Sequence, residues 1–174
     1  MIKLTEFKNK LYQIVKPNRF IVAVYPPSSV DVPNDIEFLS YMAQAAKIPE
    51  KSLGEIEIKY HGMSLKLPGD YTHEDLSITF LNHYGWEPRL FFENWIEQIQ
   101  LVNSENTRLD GIDVIDDATI TIYQVGDNEM ALAFYTFFNI FPKNISAIEL
   151  DMNSSDQVEI FTVDFAYSHW KQGK

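Results

Sequence analysis

Along the chain, short segments rich in Ile, Val, Tyr, Phe and Thr alternate with Gly, Pro, Asn and Asp at turn-like intervals. That spacing predicts a mainly β protein. Strands are expected over Arg19 to Tyr25, Ile36 to Ala46, Gly54 to Tyr60, Met63 to Leu67, Leu76 to Leu81, Ala118 to Val125, Ala131 to Phe141, Ser146 to Asp151 and Val158 to Ser168. One stretch breaks the two-residue period. Leu90, Phe91, Trp95, Ile96 and Ile99 recur at helical spacing, with Pro88 at a first helical position, so a helix over Pro88 to Gln100 should pack on the sheets.

The most informative unit is Glu55 to Pro68. A two-residue turn at His61-Gly62 pairs Tyr60 with Met63, Ile58 with Leu65 and Ile56 with Leu67. All six side chains then share one face, because side chains alternate and register fixes the face. The other face carries Glu55, Glu57, Lys59, Ser64 and Lys66, with Glu57 opposite Lys66, a cross-strand pair contributing ~0.2–1 kcal/mol. Pro68-Gly69 suits a type II turn closing the hairpin.

Ala131 to Phe141 is apolar on both alternating faces, so both need covering. Two readings stand: a central sandwich strand with the helix on its second side, or a face buried against a neighbouring subunit. Val158 to Tyr167 alternates more cleanly. Phe161, Val163, Phe165 and Tyr167 point to the core, and Ile160, Thr162, Asp164 and Ala166 point to solvent or a neighbour.

Length and composition narrow the class. At 174 residues the chain fits one domain able to bury roughly 70% of its unfolded surface. The absence of cysteine removes disulfide frameworks, thiolate metal sites and cysteine nucleophiles. The first residues are charged without an apolar signal core, and the longest apolar stretch, Met130 to Phe141, is too short for a membrane helix, so a soluble protein without membrane anchoring is expected. The net charge of -11 argues against tight nucleic-acid binding, which draws its affinity from Lys and Arg. It fits plain solubility or a surface that DNA passes without sticking.

Candidate chemistry is sparse. His61, His73, His83 and His169 stand singly, without metal-ligand spacing. His73-Glu74-Asp75 holds a ligand or base in principle, but neighbouring strand residues face opposite ways. The acidic run Asp110, Asp113, Asp116 and Asp117 lacks the alternation and distal Glu of a calcium loop. Asn144-Ile145-Ser146 and Asn153-Ser154-Ser155 match a glycosylation pattern that means nothing without secretion. No nucleophile elbow, phosphate loop or dinucleotide fingerprint occurs. The expectation is a non-enzyme with no cofactor and no metal.

The order of local features is more telling. Pro17 to Val22 opens with a Pro-Asn step into a strand, and Lys47-Ile48-Pro49 precedes the hairpin. Pro68 to Leu76 carries a Gly-Asp step, an acidic pair and a strand, and Phe92-Glu93-Asn94-Trp95 sits in the helix. Phe141 to Ile145 and the aromatic stretch from Phe161 to Trp170 close the chain. In this order, over roughly Lys16 to Trp170, the sequence resembles the major tail tube proteins of contractile-tailed bacteriophages and the related inner-tube proteins. Two segments depart from the resemblance. Met1 to Val15 shows a Leu4, Phe7, Leu11, Ile14 pattern suggesting a short helix, and the Pro26 to Asn34 loop is a local elaboration.

The resemblance implies an antiparallel β-sandwich or split barrel flanked by one α-helix, assembled as hexameric rings with a continuous inner β-barrel. It divides the chain into an arm (1–15), a tail tube domain (16–170) and a tail (171–174). It implies a structural virion protein whose stacked rings conduct DNA inside a contractile sheath, in the virion tail, after assembly in the bacterial host cytoplasm. Implied partners are further copies of the chain, the sheath protein, the baseplate tube initiator and the tail terminator, with the tape-measure protein and DNA passing through the lumen. Glu55, Glu57, Thr162 and Asp164 are the lumen candidates. Leu4, Phe7, Leu11, Lys47, Ile48, Pro49, His169 and Trp170 are the inter-ring candidates. The competing readings are a tube or tube-initiator subunit of a phage-derived injection device and, from other classes, a monomeric ligand- or glycan-binding β-sandwich or a hydrolase.

Overall fold

A computed structural model describes residues 15–28, 30, 36–104, 117–126 and 130–173, without the side chains of 101–104. In chain order the elements are β1 (Phe20–Tyr25), α1 (Glu37–Met42), β2 (Ala43–Lys47), β3 (Lys51–Tyr60), β4 (Met63–His73) and β5 (Leu76–Leu81). They continue with α2 (Glu87–Ser104), β6 (Thr119–Val125), β7 (Ala131–Phe138), β8 (Phe141–Ile145), β9 (Ile160–Ala166) and β10 (His169–Gly173). The strands form one sheet ordered β1-β6-β7-β10, a second ordered β2-β5-β9-β8, and a two-stranded sheet β3-β4. Every pairing is antiparallel.

The two four-stranded sheets bury their facing sides together. Val22, Val24, Ile120, Ile122 and Phe137 come from the first, and Leu76, Ile78, Phe80, Phe161, Val163 and Phe165 from the second. Strand alternation produces this directly: β5 reads buried at every second residue, and so does β9. Helix α2 covers the second sheet's aromatic end. The Phe92 ring lies 4.9 Å from Phe80 and 5.7 Å from Phe165, and Phe91 and Trp95 are buried beside it. Arg89 carries its guanidinium 5.7 Å from the Phe161 ring and donates to the Ser146 carbonyl at 3.0 Å, tying the helix to the strand edge.

Four local expectations are corrected. Ile36 to Ala46 is not one strand: Glu37–Met42 is a helical turn, because Ile36, Leu39 and Met42 recur every third residue and pack on the core. Pro68-Gly69 does not close the hairpin. β4 runs on to His73, with a bulge between Leu53 and Glu55, where the Gly54 and Gly69 backbones approach too closely for a side chain. Ala131 to Phe141 breaks at Asn139, whose φ of 52° lets the chain pass from β7 in the first sheet to β8 in the second. Ser146 to Asp151 holds no strand, since the chain leaves the sheet edge after Ile145.

Of Val158 to Ser168, Ile160–Ala166 forms β9; the chain then crosses to the first sheet, where β10 begins at His169, and Ser168 N–H donates to the Phe138 carbonyl at 3.1 Å at the crossing. The two crossings sit together and make one corner of a split barrel. On the opposite side β1 and β2 meet, and α1 packs against both. There, between the sheets, lies a cleft of about 460 Å³ walled by Phe20, Ala46, Ile48, Ile122 and Tyr135.

Candidate functional site

The β3-β4 hairpin stands apart from the sandwich. Its turn has both central residues at positive φ, His61 at 46° and Gly62 at 83°, which matches the right-handed twist of the flanking strands. The expected register is present: Tyr60 faces Met63, Ile58 faces Leu65 and Ile56 faces Leu67. None of these six side chains is covered. Their exposures run from 40% at Leu67 to 72% at Met63. Together they present on the order of 600 Å², more than a monomer usually leaves open in one piece and close to one partner's share of a standard interface.

The opposite face is polar. Glu57 does lie opposite Lys66 in register, but Lys66 Nζ pairs diagonally with Glu55 at 2.9 Å. Glu57 instead accepts from Ser64 Oγ at 2.6 Å. Diagonal neighbours lie within reach of a lysine stem, and the short serine leaves Glu57 its hydroxyl.

An aromatic clamp holds the root of the hairpin. The ammonium of Lys51 sits 5.1 Å from the Tyr71 ring and 5.3 Å from Trp170, and His73 stacks on Tyr167 at 4.5 Å. Tyr167 donates its hydroxyl to the Glu74 carbonyl at 2.9 Å. Burial, with lesser contributions from Tyr71, Asp75 and Glu74, pushes the Tyr167 phenol up to about 12.

A second surface is polar for a different reason. On the side of the second sheet turned from the core, Ser77 faces Asp164 and Thr79 faces Thr162. Ser77 donates to Asp164 Oδ1, Asn144 Nδ2 donates to Oδ2 at 3.1 Å, and the two threonine hydroxyls are 3.0 Å apart. The result is a flat lattice of short, mutually bonded side chains around one carboxylate. At the start of β5, Lys47 pairs with Glu74 at 2.8 Å and Lys143 with Asp75 at 2.7 Å. Each carboxylate, by hydrogen bond and then by charge, raises its lysine's pKa.

The predicted residues therefore fall into separate places. Thr162 and Asp164 share the outer face of β9, whereas Glu55 and Glu57 lie on the hairpin, a different sheet. Of the inter-ring candidates, Lys47 and Ile48 are exposed, Pro49 is buried and His169 stacks on Phe138 at 4.8 Å. Trp170 is half-buried and packs its ring 5.6 Å from Tyr135. Leu4, Phe7 and Leu11 lie outside the described residues, as do most of the Pro26 to Asn34 loop and Asp110, Asp113 and Asp116. Ser77, Thr79 and Asn144 were missed as partners of Thr162 and Asp164. The signal for Ser77 and Thr79 was the alternation Leu76-Ser77-Ile78-Thr79-Phe80.

Among the described residues the titratable side chains pair off rather than converge on one point. His73 turns to Tyr167, Glu74 to Lys47 and Asp75 to Lys143. Among the described residues no group of three His, Asp or Glu side chains could hold a metal, and no described helix is long and apolar enough to cross a membrane.

The described residues thus make an antiparallel sandwich with a flanking helix and an outstanding hairpin whose apolar face is open. The chain belongs to the phage tail tube protein family, whose profile matches residues 12–173. It is similar to the tail tube protein of Serratia phage KSP90, with 26% identity over 170 residues, spanning 96% of this chain and 95% of that protein. It is also similar to the tail tube protein gp19 of Enterobacteria phage T4, with 20% identity over 132 residues, spanning 76% and 80%. Among solved structures, a chain in the extended sheath–tube complex of the extracellular contractile injection system PVC shares the fold, with a TM-score of 0.66 at 16% identity and 99% of both chains covered. A chain of the anti-feeding prophage baseplate does so with a TM-score of 0.63 at 15% identity, covering 91% of this chain and 95% of that one. The protein is thus a structural tube subunit, a component of the virion tail by its family.

Proposed function

We propose that the chain polymerises as stacked hexameric rings, and that the resulting tube conducts DNA inside a contractile sheath without any catalytic step. The observation that carries this is the hairpin's uncovered apolar face. A lone hairpin is marginally stable in water, and six large apolar side chains held in register on one side call for a covering surface. A neighbouring copy supplies one in every subunit, and closing the ring removes sheet edges that otherwise invite aggregation. Stacking is then a head-to-tail contact that propagates into a tube. Exposed Lys47, at the end of β2, and Ile48 just beyond it are candidates for that contact, together with the arm that bears Leu4, Phe7 and Leu11.

The lumen wall is assigned to the outer face of β5 and β9. Its short side chains satisfy one another, Asp164 adds negative charge, and the lysines at its edge, Lys47 and Lys143, are each paired with a carboxylate, which weakens their hold on a phosphate backbone. Glu55 and Glu57 extend this wall when the hairpin turns its apolar face onto the neighbour, because the two faces of a two-stranded sheet point opposite ways. Repulsion acts within about 8–10 Å of the wall at physiological salt. The sheath protein, baseplate initiator, tail terminator and tape-measure protein are the partners this role requires, and assembly takes place in the host cytoplasm.

Mass photometry and negative-stain microscopy of the purified chain, alone and with its tail partners, test the proposal. Rings or tubes support it, and a monomer at every concentration with no partner-induced assembly refutes it. The structural likeness to contractile injection systems favours a second reading, the inner tube of such a device. Neighbouring capsid and terminase genes mark a phage tube, and toxin cargo genes mark a device.

A further inference from the structure

Every residue of β3 and all but Gly69 of β4 are exposed, so the hairpin draws little support from the sandwich beneath it. A two-stranded ribbon held only at its base swings unless something fixes it there. The pairing shows which side is fixed. Lys51 faces His73 and Leu53 faces Tyr71, while Glu55 faces Pro68, so Gly54 alone stands opposite both Gly69 and Asp70. The extra residue shifts β4 by one step in the alternation. Tyr71 and His73 therefore share a side with Lys51, Leu53, Glu55 and Glu57. Unbroken alternation would group them with Met63, Leu65 and Leu67 instead. The bulge thus puts the root contacts and the apolar face on opposite sides of one ribbon.

The root side meets the sandwich. Lys51 Nζ lies over two rings, Tyr71 of the hairpin at 5.1 Å and Trp170 of β10 at 5.3 Å. Trp170 is itself set against Tyr135 and Phe137, with ring centroids 5.6 and 6.4 Å away. His73 stacks on Tyr167, whose ring meets Phe137 edge-on at 5.0 Å. Both anchors end on Phe137, which is wholly buried in the core. A lysine laid over two rings adds attraction that an alkyl stem alone does not supply, and its charge stays in water.

We infer that Lys51, with Tyr71 and Trp170, positions the hairpin. The clamp ties the polar side to its own subunit and so turns the side bearing Ile56, Ile58, Tyr60, Met63, Leu65 and Leu67 away from it, ready for a neighbour. The inference rests on the hairpin contact proposed above. A hairpin already aimed forfeits less freedom on docking, which lowers the concentration at which copies join. Lys51 acts through the hairpin rather than on the neighbour.

Single-molecule fluorescence transfer reads the aim before any assembly. The chain has no cysteine, so Lys59→Cys near the tip and Tyr84→Cys beyond β5 carry the two dyes at sub-nanomolar concentration. One narrow efficiency peak is expected. Lys51→Arg, which lays a cation on the same rings, should keep it. Lys51→Met, which keeps the stem and loses the charge, should shift or broaden it, while denaturant unfolding of the monomer stays native-like. An unchanged peak in Lys51→Met overturns the inference.

Mass photometry supplies the second readout. The assembly concentration should rise about threefold to tenfold in Lys51→Met and return in Lys51→Arg. With Ile58→Ser and Leu65→Ser already present, Lys51→Met should add nothing, because the face it aims is gone. A threshold raised by the serines but untouched by Lys51→Met overturns the clamp and leaves the hairpin contact standing. A threshold untouched by the serines overturns the hairpin contact itself.

Discussion

Replacing Ile58 and Leu65 with serine removes the centre of the hairpin's apolar face while leaving its register, turn and polar face in place. In the free subunit these side chains are 46% and 59% exposed, so each holds roughly 70–90 Å² of apolar surface ready to be covered by a neighbour. At about 25 cal/mol per Å² that is ~2 kcal/mol each, or ~4 kcal/mol per contact for the pair. Assembly should then need on the order of a thousandfold more protein. The free subunit should barely notice. Neither residue belongs to the sandwich core, so its unfolding free energy should shift by no more than about 1 kcal/mol, the span of strand propensity. Mass photometry across a concentration series reads the first quantity, and denaturant unfolding of the monomer reads the second. Unchanged assembly refutes the reasoning, and so does a monomer destabilised by several kcal/mol, which would place the hairpin face in the fold rather than at an interface.

Three further outcomes follow from the geometry. Tyr167 keeps its proton longer folded than unfolded, so stability should be flat below pH 10 and fall by roughly 1–2 kcal/mol as pH rises from 10 to 12. Urea unfolding at stepped pH should show that loss in the native chain and a smaller one in Tyr167→Phe. Gly69→Ala places a methyl 3.0 Å from the Gly54 carbonyl carbon, so the bulge must shift, and hydrogen exchange of the outer hairpin should rise by about the equivalent of 1–3 kcal/mol while the sandwich is unaffected. Asp164→Ala strips the acceptor from Ser77 and Asn144 at a partly exposed site. It should cost about 1 kcal/mol in unfolding and leave assembly intact, whereas Asp164→Lys should slow DNA exit from assembled particles in single-particle ejection assays.

Much of this was legible from alternation. Strand β5 follows from period two, and the register of the hairpin from period two together with the two-residue turn at His61-Gly62. The failures share a cause. At Asn139 and at Tyr167-Ser168 the chain changes sheets without a Gly at the step, so the expected strands run past the ends of β7 and β9, and β8 and β10 go unread as strands of their own. At Ile36 to Met42 three apolar residues at spacing three were overridden by the β-like composition around them. Pro68-Gly69 carries the composition of a turn, yet serves as one side of a bulge opposite Gly54, a pairing visible only once register is known. Glu55, Glu57, Thr162 and Asp164 were each correctly seen as turned away from apolar partners. That they belong to two sheets is a matter of topology, which alternation does not encode.

A hairpin face that joins copies of this chain must be covered in the assembled tube. Cryo-electron microscopy of the assembled material tests it most directly. Stacked sixfold rings are expected, with Ile56, Ile58, Tyr60, Met63, Leu65 and Leu67 covered by an adjacent copy and the β5–β9 face lining the bore. Rings that leave those six side chains in solvent would contradict it.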